Sequence, residues 1–275
     1  MARPLTLMAV HAHPDDESSS TGGVLARYAA AGVRTVVVTC TNGELGDGPG
    51  GVKPGEEGHD EAEVAAIRLA ELEEACRILD VTDLELLGYH DSGMVDWEFK
   101  DQADVFCNVP IEVSSGRLVA LFEKYEPDVV ITYDDQGGYD HPDHIQAHRI
   151  TVAAVEQSGI PAKLYFTAWR RGTFERLRAK LAEQGIEFPA PEITPEMRAR
   201  MDAVEGRITT TVDTKAFVEL KGQALAAHAS QIEESWLSRI PPEVYVEVFG
   251  DESFIRARDT TGAPVPEDDL FAGLS

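Results

Sequence analysis

Cysteine is scarce in this chain, and long apolar runs are absent. Its 275 residues include three cysteines, Cys40, Cys76 and Cys107, whose odd number and wide spacing predict reduced thiols rather than a disulfide framework. Cys40 ends an apolar segment and is predicted to be buried. No run approaches the roughly 18 apolar residues that a membrane-spanning helix needs. Residues 1–4 lead directly into a predicted strand, not into a signal peptide, so a cytoplasmic protein is expected.

Basic residues are also few. The chain has 24 lysines and arginines against 49 aspartates and glutamates, which gives a formal net charge of −25. Such a surface repels phosphate backbones and anionic lipids, and no basic stripe with interleaved aromatics offsets it. Neither a nucleic acid nor a membrane is therefore expected as a partner. A small-molecule substrate is expected instead, and a homo-oligomer is compatible with the sequence.

Two glycine-rich phosphate-binding motifs are missing. The first strand is not followed by G-x-G-x-x-G, which argues against a nicotinamide dehydrogenase. Residues 44–59 are crowded with glycine, proline and acidic residues but contain no G-x-x-x-x-G-K-[ST] pattern. A loop this long is typical of a functional lid or of a disordered insertion, and the sequence leaves both open.

Apolar and amphipathic segments alternate through most of the chain. This rhythm predicts an α/β, Rossmann-like, mostly parallel sheet with helices on both faces, plus C-terminal extra strands and helices. The predicted strands cover residues 5–10, 35–40, 84–87, 128–133, 163–168, 208–212 and 245–249, and the predicted helices cover 22–31, 61–79, 117–125, 144–157 and 214–229.

No internal repeat or clear linker divides the chain, so a single domain over residues 1–275 is predicted. Its catalytic core is expected at about 1–170. A part that shapes the substrate site is expected at about 171–260, and a loose acidic tail at 261–275.

The first chemically informative cluster is His13-Pro14-Asp15-Asp16-Glu17. It directly follows the strand predicted at 5–10, so it lies at the carboxyl end of that strand, where ligands bind in open α/β sheets. A histidine and two adjacent aspartates at such a point favour a bound divalent metal. Glu17 has two interpretations, a supporting hydrogen-bond acceptor or an acid that favours the start of a helix.

A second cluster, Tyr139-Asp140-His141-Pro142-Asp143-His144, follows the strand predicted at 128–133. Pro142 suits the first position of a helix, and His141 and His144, three residues apart, can then face the same space. Two polar clusters after two parallel strands can converge on one point.

A catalytic zinc site typically has three protein ligands and one open position for water. One histidine and one aspartate from the first cluster and one histidine from the second satisfy this. The remaining carboxylate is a natural general base, and the remaining histidine can donate a proton or stabilise an oxyanion. The combination predicts metal-assisted hydrolysis.

The sequence resembles the LmbE-like (PIG-L type) zinc-dependent N-acetylglucosaminyl deacetylase family. The resemblance rests on A-H-P-D-D-E at residues 12–17 and H-P-D-H at 141–144, with the strand at 35–40 followed by T-N-G-E at 41–44. It is closest to the branch that acts in mycothiol metabolism, through the segments at 68–72, 91–94 and 227–231.

The resemblance implies a role for each matching residue. The metal ligands are His13, Asp16 and His144. Asp15 is the general base, His141 protonates the amine or stabilises charge, Asp143 orients His141, Tyr139 assists the oxyanion, and Arg68, Asp91 and His228 line the substrate site. The S-conjugate amidases of this branch have a lysine where this chain has Ser20, which argues against the amidase activity.

The expected function is removal of an acyl, above all an acetyl, group from the nitrogen of an amino sugar or glycoconjugate. The expected cofactor is one Zn²⁺ per chain, and Fe²⁺ accepts the same ligand set. An amidase acting on a thiol conjugate or natural-product intermediate is the first alternative. A metallophosphoesterase is the second, and it would hold two metals per chain. A non-catalytic metal- or sugar-binding protein is disfavoured, because both Asp15 and His141 are present.

Overall fold

Seven strands form one mixed sheet in the computed structural model, which describes residues 3–187, 194–232 and 240–274. The strand order is β3-β2-β1-β4-β5-β7-β6. The first five strands in that order are parallel, and β7 runs antiparallel to both β5 and β6. The strands are β1 Thr6–His11, β2 Arg34–Thr41, β3 Asp83–Tyr89, β4 Val129–Thr132, β5 Lys163–Ala168, β6 Thr210–Asp213 and β7 Asp251–Asp259. The predicted α/β architecture with a mostly parallel sheet is confirmed.

The helices connect the strands and cover the sheet. They are α1 Asp16–Ala30, α2 Glu61–Ile78, α3 Ile111–Tyr125, α4 Gly137–Asp140, α5 Pro142–Ser158, α6 Arg171–Glu183, α7 Pro195–Glu205, α8 Val218–Ala227, α9 Ala229–Ile232 and α10 Pro242–Phe249. Among the helices in the described part of the chain, none combines the length and the apolar character needed to cross a membrane.

Both faces of β1 are buried, which explains its uninterrupted apolar sequence. Because successive side chains of a strand point to opposite faces, Leu7 and Ala9 pack with α1 and α2, whereas Met8 and Val10 pack with α3 and α5. Cys40 is fully buried, as its sequence context predicted. The polar residues that follow β1 are therefore held on a rigid central strand.

The strand predicted at 245–249 is wrong. Those residues lie in α10, and the strand of this region is β7, which begins at Asp251. Pro242 occupies the first turn of α10, and Val244, Val248 and Phe249 are buried on one face of it. A short apolar run does not distinguish a strand from a buried helix by periodicity, and here the helical spacing decides.

The loose tail predicted at 261–275 is also wrong for the residues that the structure describes. Leu270 and Phe271 are buried in the core beside α1, and the backbone N–H of Leu270 donates to the Tyr28 hydroxyl at 2.8 Å. The Glu267 carboxylate is buried and contacts the Lys163 ammonium at 2.6 Å. This acidic segment packs against the protein because Leu270, Phe271 and Glu267 all face inward.

Candidate active site

The predicted site residues meet at the carboxyl ends of the parallel strands. His13 and Asp16 follow β1, Asp91 follows β3, and His141 and His144 follow β4. Since β1 lies between β2 and β4, the loops that leave these strands share one edge of the sheet. Loops more than a hundred residues apart in sequence therefore form one cluster.

The three predicted metal ligands lie in contact. Oδ2 of Asp16 is 3.4 Å from Nδ1 of His13 and 3.4 Å from Nε2 of His144. His141 also belongs to this cluster, because its ligand atom and those of His13 and His144 all lie within 4.8 Å of one another. All four side chains are buried.

His144 is oriented so that one ring nitrogen is available to a metal. Its Nδ1 lies 3.1 Å from the carbonyl oxygen of Gly137, which fixes the proton on Nδ1 and leaves the lone pair on Nε2. That Nε2 is buried and has no hydrogen-bond partner among the described residues. A buried, unpaired imidazole nitrogen beside a carboxylate is a suitable pair of donors for a divalent metal. The residues present therefore fit a metal site.

Asp16 is held in place by two further groups. Its Oδ2 accepts from the backbone N–H of His13 at 2.9 Å and from the Tyr133 hydroxyl at 2.7 Å. Burial would raise the pKa of this carboxyl, but the adjacent His144 and His13 hold it well below its usual range. Asp16 is therefore a fixed, ionised carboxylate. Tyr133 was not singled out from the sequence, although its place at the end of a buried strand was a usable signal.

Asp15 lies next to the cluster without joining it. Its backbone has φ 113°, and its side chain is 28% exposed, more than those of His13, Asp16 and His144. Nη2 of Arg68 donates to its Oδ2 at 3.0 Å. Burial raises the pKa of Asp15 to about 6, although the positive charge of Arg68 opposes the shift. This carboxyl is positioned to exchange a proton with a molecule in the site.

His141 is positioned by the main chain. Its Nδ1 accepts from the backbone N–H of Asp143 at 3.2 Å, so a neutral ring carries its proton on Nε2. Burial and the neighbouring His13 and His144 lower the pKa of His141 to about 2. The neutral ring can therefore donate a hydrogen bond through Nε2.

The carboxylate of Asp143 contacts a different histidine from the one expected. It lies 3.2 Å from Nε2 of His13 and accepts from the backbone N–H of Ser92 at 2.9 Å. The prediction that this carboxylate orients His141 does not match these contacts, since only its backbone N–H reaches that ring.

Tyr139 lies at the mouth of the site. It is 58% exposed, and the centroid of its ring is 5.0 Å from that of His144 and 5.9 Å from that of His141. The turn that carries it is closed by Asp134, which accepts from the backbone N–H of Gly138 at 2.9 Å. Tyr139 can therefore reach a molecule that enters from solvent.

The three residues expected to line the substrate site are all buried, and His228 is the most enclosed. Arg68 is buried and donates to the carbonyl oxygens of Gly43 and Pro14 as well as to Asp15. Asp91 is buried with Oδ1 3.6 Å from Nε2 of His13. His228 is fully buried and pairs with Glu17, so a direct contact with substrate does not fit its position.

The segment at residues 44–59 has a defined conformation beside the site. Gln231 accepts from the backbone N–H of Asp47 and donates to its carbonyl oxygen, both at 3.1 Å. The Glu44 carboxylate is buried and accepts from the backbone N–H of Asp91 at 3.1 Å. Of the two interpretations of this segment, the disordered insertion is not supported.

Residues 8–155 match the family model described as PIG-L, GlcNAc-PI de-N-acetylase. The chain belongs to this family. A 1D-myo-inositol 2-acetamido-2-deoxy-alpha-D-glucopyranoside deacetylase of Acidothermus cellulolyticus is 41% identical to it over 98% of this chain and 95% of the relative. A mycothiol S-conjugate amidase of Streptomyces coelicolor is 36% identical over 100% of this chain and 99% of the relative. This PIG-L protein is thus a hydrolase, a deacetylase or amidase with a His/Asp metal site.

Solved structures agree on the fold of this PIG-L protein. The N,N'-diacetylchitobiose deacetylase from Pyrococcus horikoshii matches it with a TM-score of 0.59 and 21% identity, over 91% of this chain and 83% of that chain. At this level of identity the similarity supports the architecture and not a particular substrate.

Proposed function

We propose that the protein removes the acetyl group from 1D-myo-inositol 2-acetamido-2-deoxy-α-D-glucopyranoside or a close analogue. The observation that carries the proposal is the unpaired Nε2 of His144 beside Asp16, with a further carboxylate, Asp15, outside the cluster. The full-length similarity to a relative named for that deacetylation supports this substrate.

In this proposal His13, Asp16 and His144 hold one Zn²⁺. When bound, the ion supplies Lewis-acid chemistry, lowering the pKa of water and polarising an amide carbonyl. Two histidines and a carboxylate also accept Fe²⁺, so the ligands alone do not select between the two ions.

In this proposal Asp15 transfers protons, whereas His141 and Tyr139 stabilise the developing negative charge. Asp15 takes the proton from the attacking water and returns it to the departing amine, which its access to the site favours. His141 donates from Nε2 to the negative oxygen that develops on the amide carbon, and Tyr139 assists from the rim. Arg68 and Asp91 hold the sugar hydroxyls, and Arg68 also fixes Asp15.

The second candidate is cleavage of a mycothiol S-conjugate, which the similarity to the amidase of Streptomyces coelicolor favours. Ser20 weighs against it, since the resemblance implies a lysine at that position in the amidases. Ser20 lies in the second turn of α1 and lines a cleft with Trp169, Arg170 and Lys221.

The deciding experiment measures release of free amine from both substrates by the metal-loaded protein. We expect turnover of the acetylated glucosaminyl inositol to exceed that of the conjugate. Asp15→Asn should lower kcat by about 10²- to 10⁴-fold while metal content stays unchanged, because it removes only the base. Preferential cleavage of the conjugate would establish the amidase instead, and a fully active Asp15→Asn variant would refute the mechanism.

A further inference from the structure

We propose that Glu17 and His228 form a positioning pair that holds Asp15 in its working conformation. Neither residue touches substrate in this proposal. They act on the backbone of Asp15, and through it on the direction of its carboxylate. The inference rests on the proposed function in one respect, that Asp15 carries the proton.

The backbone of Asp15 needs external support. Its φ of 113° and ψ of −27° lie in the left-handed half of backbone space, which residues with a Cβ rarely occupy. Such a conformation persists only where surrounding contacts enforce it. Arg68 supplies part of this support, because it donates to Oδ2 of Asp15 at 3.0 Å and to the carbonyl oxygen of Pro14 at 2.6 Å.

Glu17 supplies the rest of the support for the backbone of Asp15. Its Oε2 accepts from the backbone N–H of Asp15 at 3.0 Å, so the carboxylate closes a turn over the strained residue. Glu17 is fully buried, whereas the side chain of Asp15 is 28% exposed. Glu17 is thus enclosed, where it can support the base but cannot meet a molecule that enters from solvent.

A buried carboxylate needs a partner, and His228 supplies it. Nε2 of His228 lies 2.8 Å from Oε1 of Glu17, and neither side chain is exposed. The hydroxyl of Ser18 donates to the same oxygen. Oε1 of Glu17 therefore contacts His228 and Ser18, which hold the carboxylate in place, and Oε2 accepts from the backbone N–H of Asp15.

His228 is itself fixed at the junction of α8 and α9. Its backbone N–H donates to the carbonyl of Leu225 at 3.2 Å, and its carbonyl accepts from the N–H groups of Gln231 and Ile232, each at 3.0 Å. A residue more than two hundred positions along the chain thereby sets the geometry of the first βα turn. This contact gives His228 a role that its complete burial permits, in place of the substrate contact implied by the resemblance.

The principal test is Glu17→Gln, which preserves volume and removes the negative charge. We expect kcat to fall by about 10- to 100-fold, because a displacement of the base by about 1 Å costs rate on this scale, with KM and metal content unchanged. Glu267→Gln is the matched control, because Glu267 is an equally enclosed carboxylate beside Lys163, at the amino end of β5 and away from the site. It should retain the wild-type kcat.

A double-mutant cycle separates positioning from a general structural effect. In an Asp15→Asn background, Glu17→Gln should cause almost no further loss of kcat, since the residue it positions no longer acts as a base. An equal further loss would overturn the proposal. So would a wild-type kcat in the single variant, or an effect confined to KM or to metal content.

Two histidine variants keep the proposal testable if Glu17→Gln does not fold. His228→Gln retains an N–H donor for Glu17, and His228→Leu has a similar volume without one. We expect kcat to be higher in the glutamine variant than in the leucine variant. Equal losses would overturn the pairing.

Hydrogen exchange of the Asp15 amide, followed by NMR, gives a readout that does not depend on turnover. Exchange should be faster in Glu17→Gln than in the wild type and unchanged in Glu267→Gln. Faster exchange in a protein that hydrolyses neither substrate would preserve the positioning pair and refute the proposed function. Unchanged exchange would overturn the pair.

Discussion

At the scale of single residues, Gly137 and His144 show how a backbone carbonyl selects the chemistry of a side chain. Gly137 has φ 61°, and a Cβ at this position would lie 2.7 Å from Cβ of His144. The close approach of the two backbones lets the Gly137 carbonyl reach Nδ1. The glycine therefore serves the metal site without contacting the metal.

Gly137→Ala should weaken metal binding by about 10- to 100-fold, because it moves the histidine away from its orienting carbonyl. Competition with a chromophoric chelator measures the affinity. Gly159→Ala is the control, since Gly159 has a similar φ of 64° and a Cβ there would meet nothing within 4 Å. Equal affinities in the two variants would contradict the role given to Gly137.

The same scale shows which parts of the site could be predicted from the sequence. His13 and Asp16 could be placed at the edge of the sheet because they follow β1 within five residues, and His144 because it lies in the first turn of α5, after β4. The contact of Asp143 with His13 and that of His228 with Glu17 were not, since they join residues 130 and 211 positions apart. Local patterns place a residue at an edge of the sheet, but loop packing decides which neighbour it meets.

At the scale of elements, the parallel strands were the most predictable part. Burial on both faces requires uninterrupted apolar segments such as those of β1 and β2. The region from α10 to β7 was less predictable because its apolar run fits either structure. The order of β5, β7 and β6 also has no local signal, since it depends on how distant strands pair.

The junction of α8 and α9 anchors the 44–59 segment, so Gln231→Ala should loosen that segment. The variant loses both hydrogen bonds to the backbone of Asp47, each worth about 1 kcal/mol. Hydrogen-exchange mass spectrometry should show faster exchange in peptides that cover 43–48. Gln184→Ala, which removes an exposed contact with Glu243, should leave those peptides unchanged. Identical exchange in both variants would show that the 44–59 segment does not depend on Gln231 for its conformation.

At the scale of the whole molecule, the net charge of −25 opposes compactness through self-repulsion. Salt screens such repulsion, and the Debye length falls from about 30 Å at 0.01 M to about 3 Å at 1 M. The melting temperature of the protein should therefore rise as NaCl is raised over this range, by about 2–4 °C for each 1 kcal/mol gained. Differential scanning calorimetry measures it. A constant or falling melting temperature would mean that local ion pairs outweigh the net charge.

The packing of residues 267–271 has a consequence for synthesis on the ribosome. Leu270 and Phe271 complete the core beside α1, and Glu267 compensates the buried charge of Lys163. A nascent chain that has emerged only as far as residue 260 already contains the seven strands that the structure describes, yet it leaves that ammonium and the surface under Leu270 uncovered. Ribosome-bound chains of this protein are therefore expected to bind chaperones until residues 267–271, which lie far from the active site, have left the ribosome.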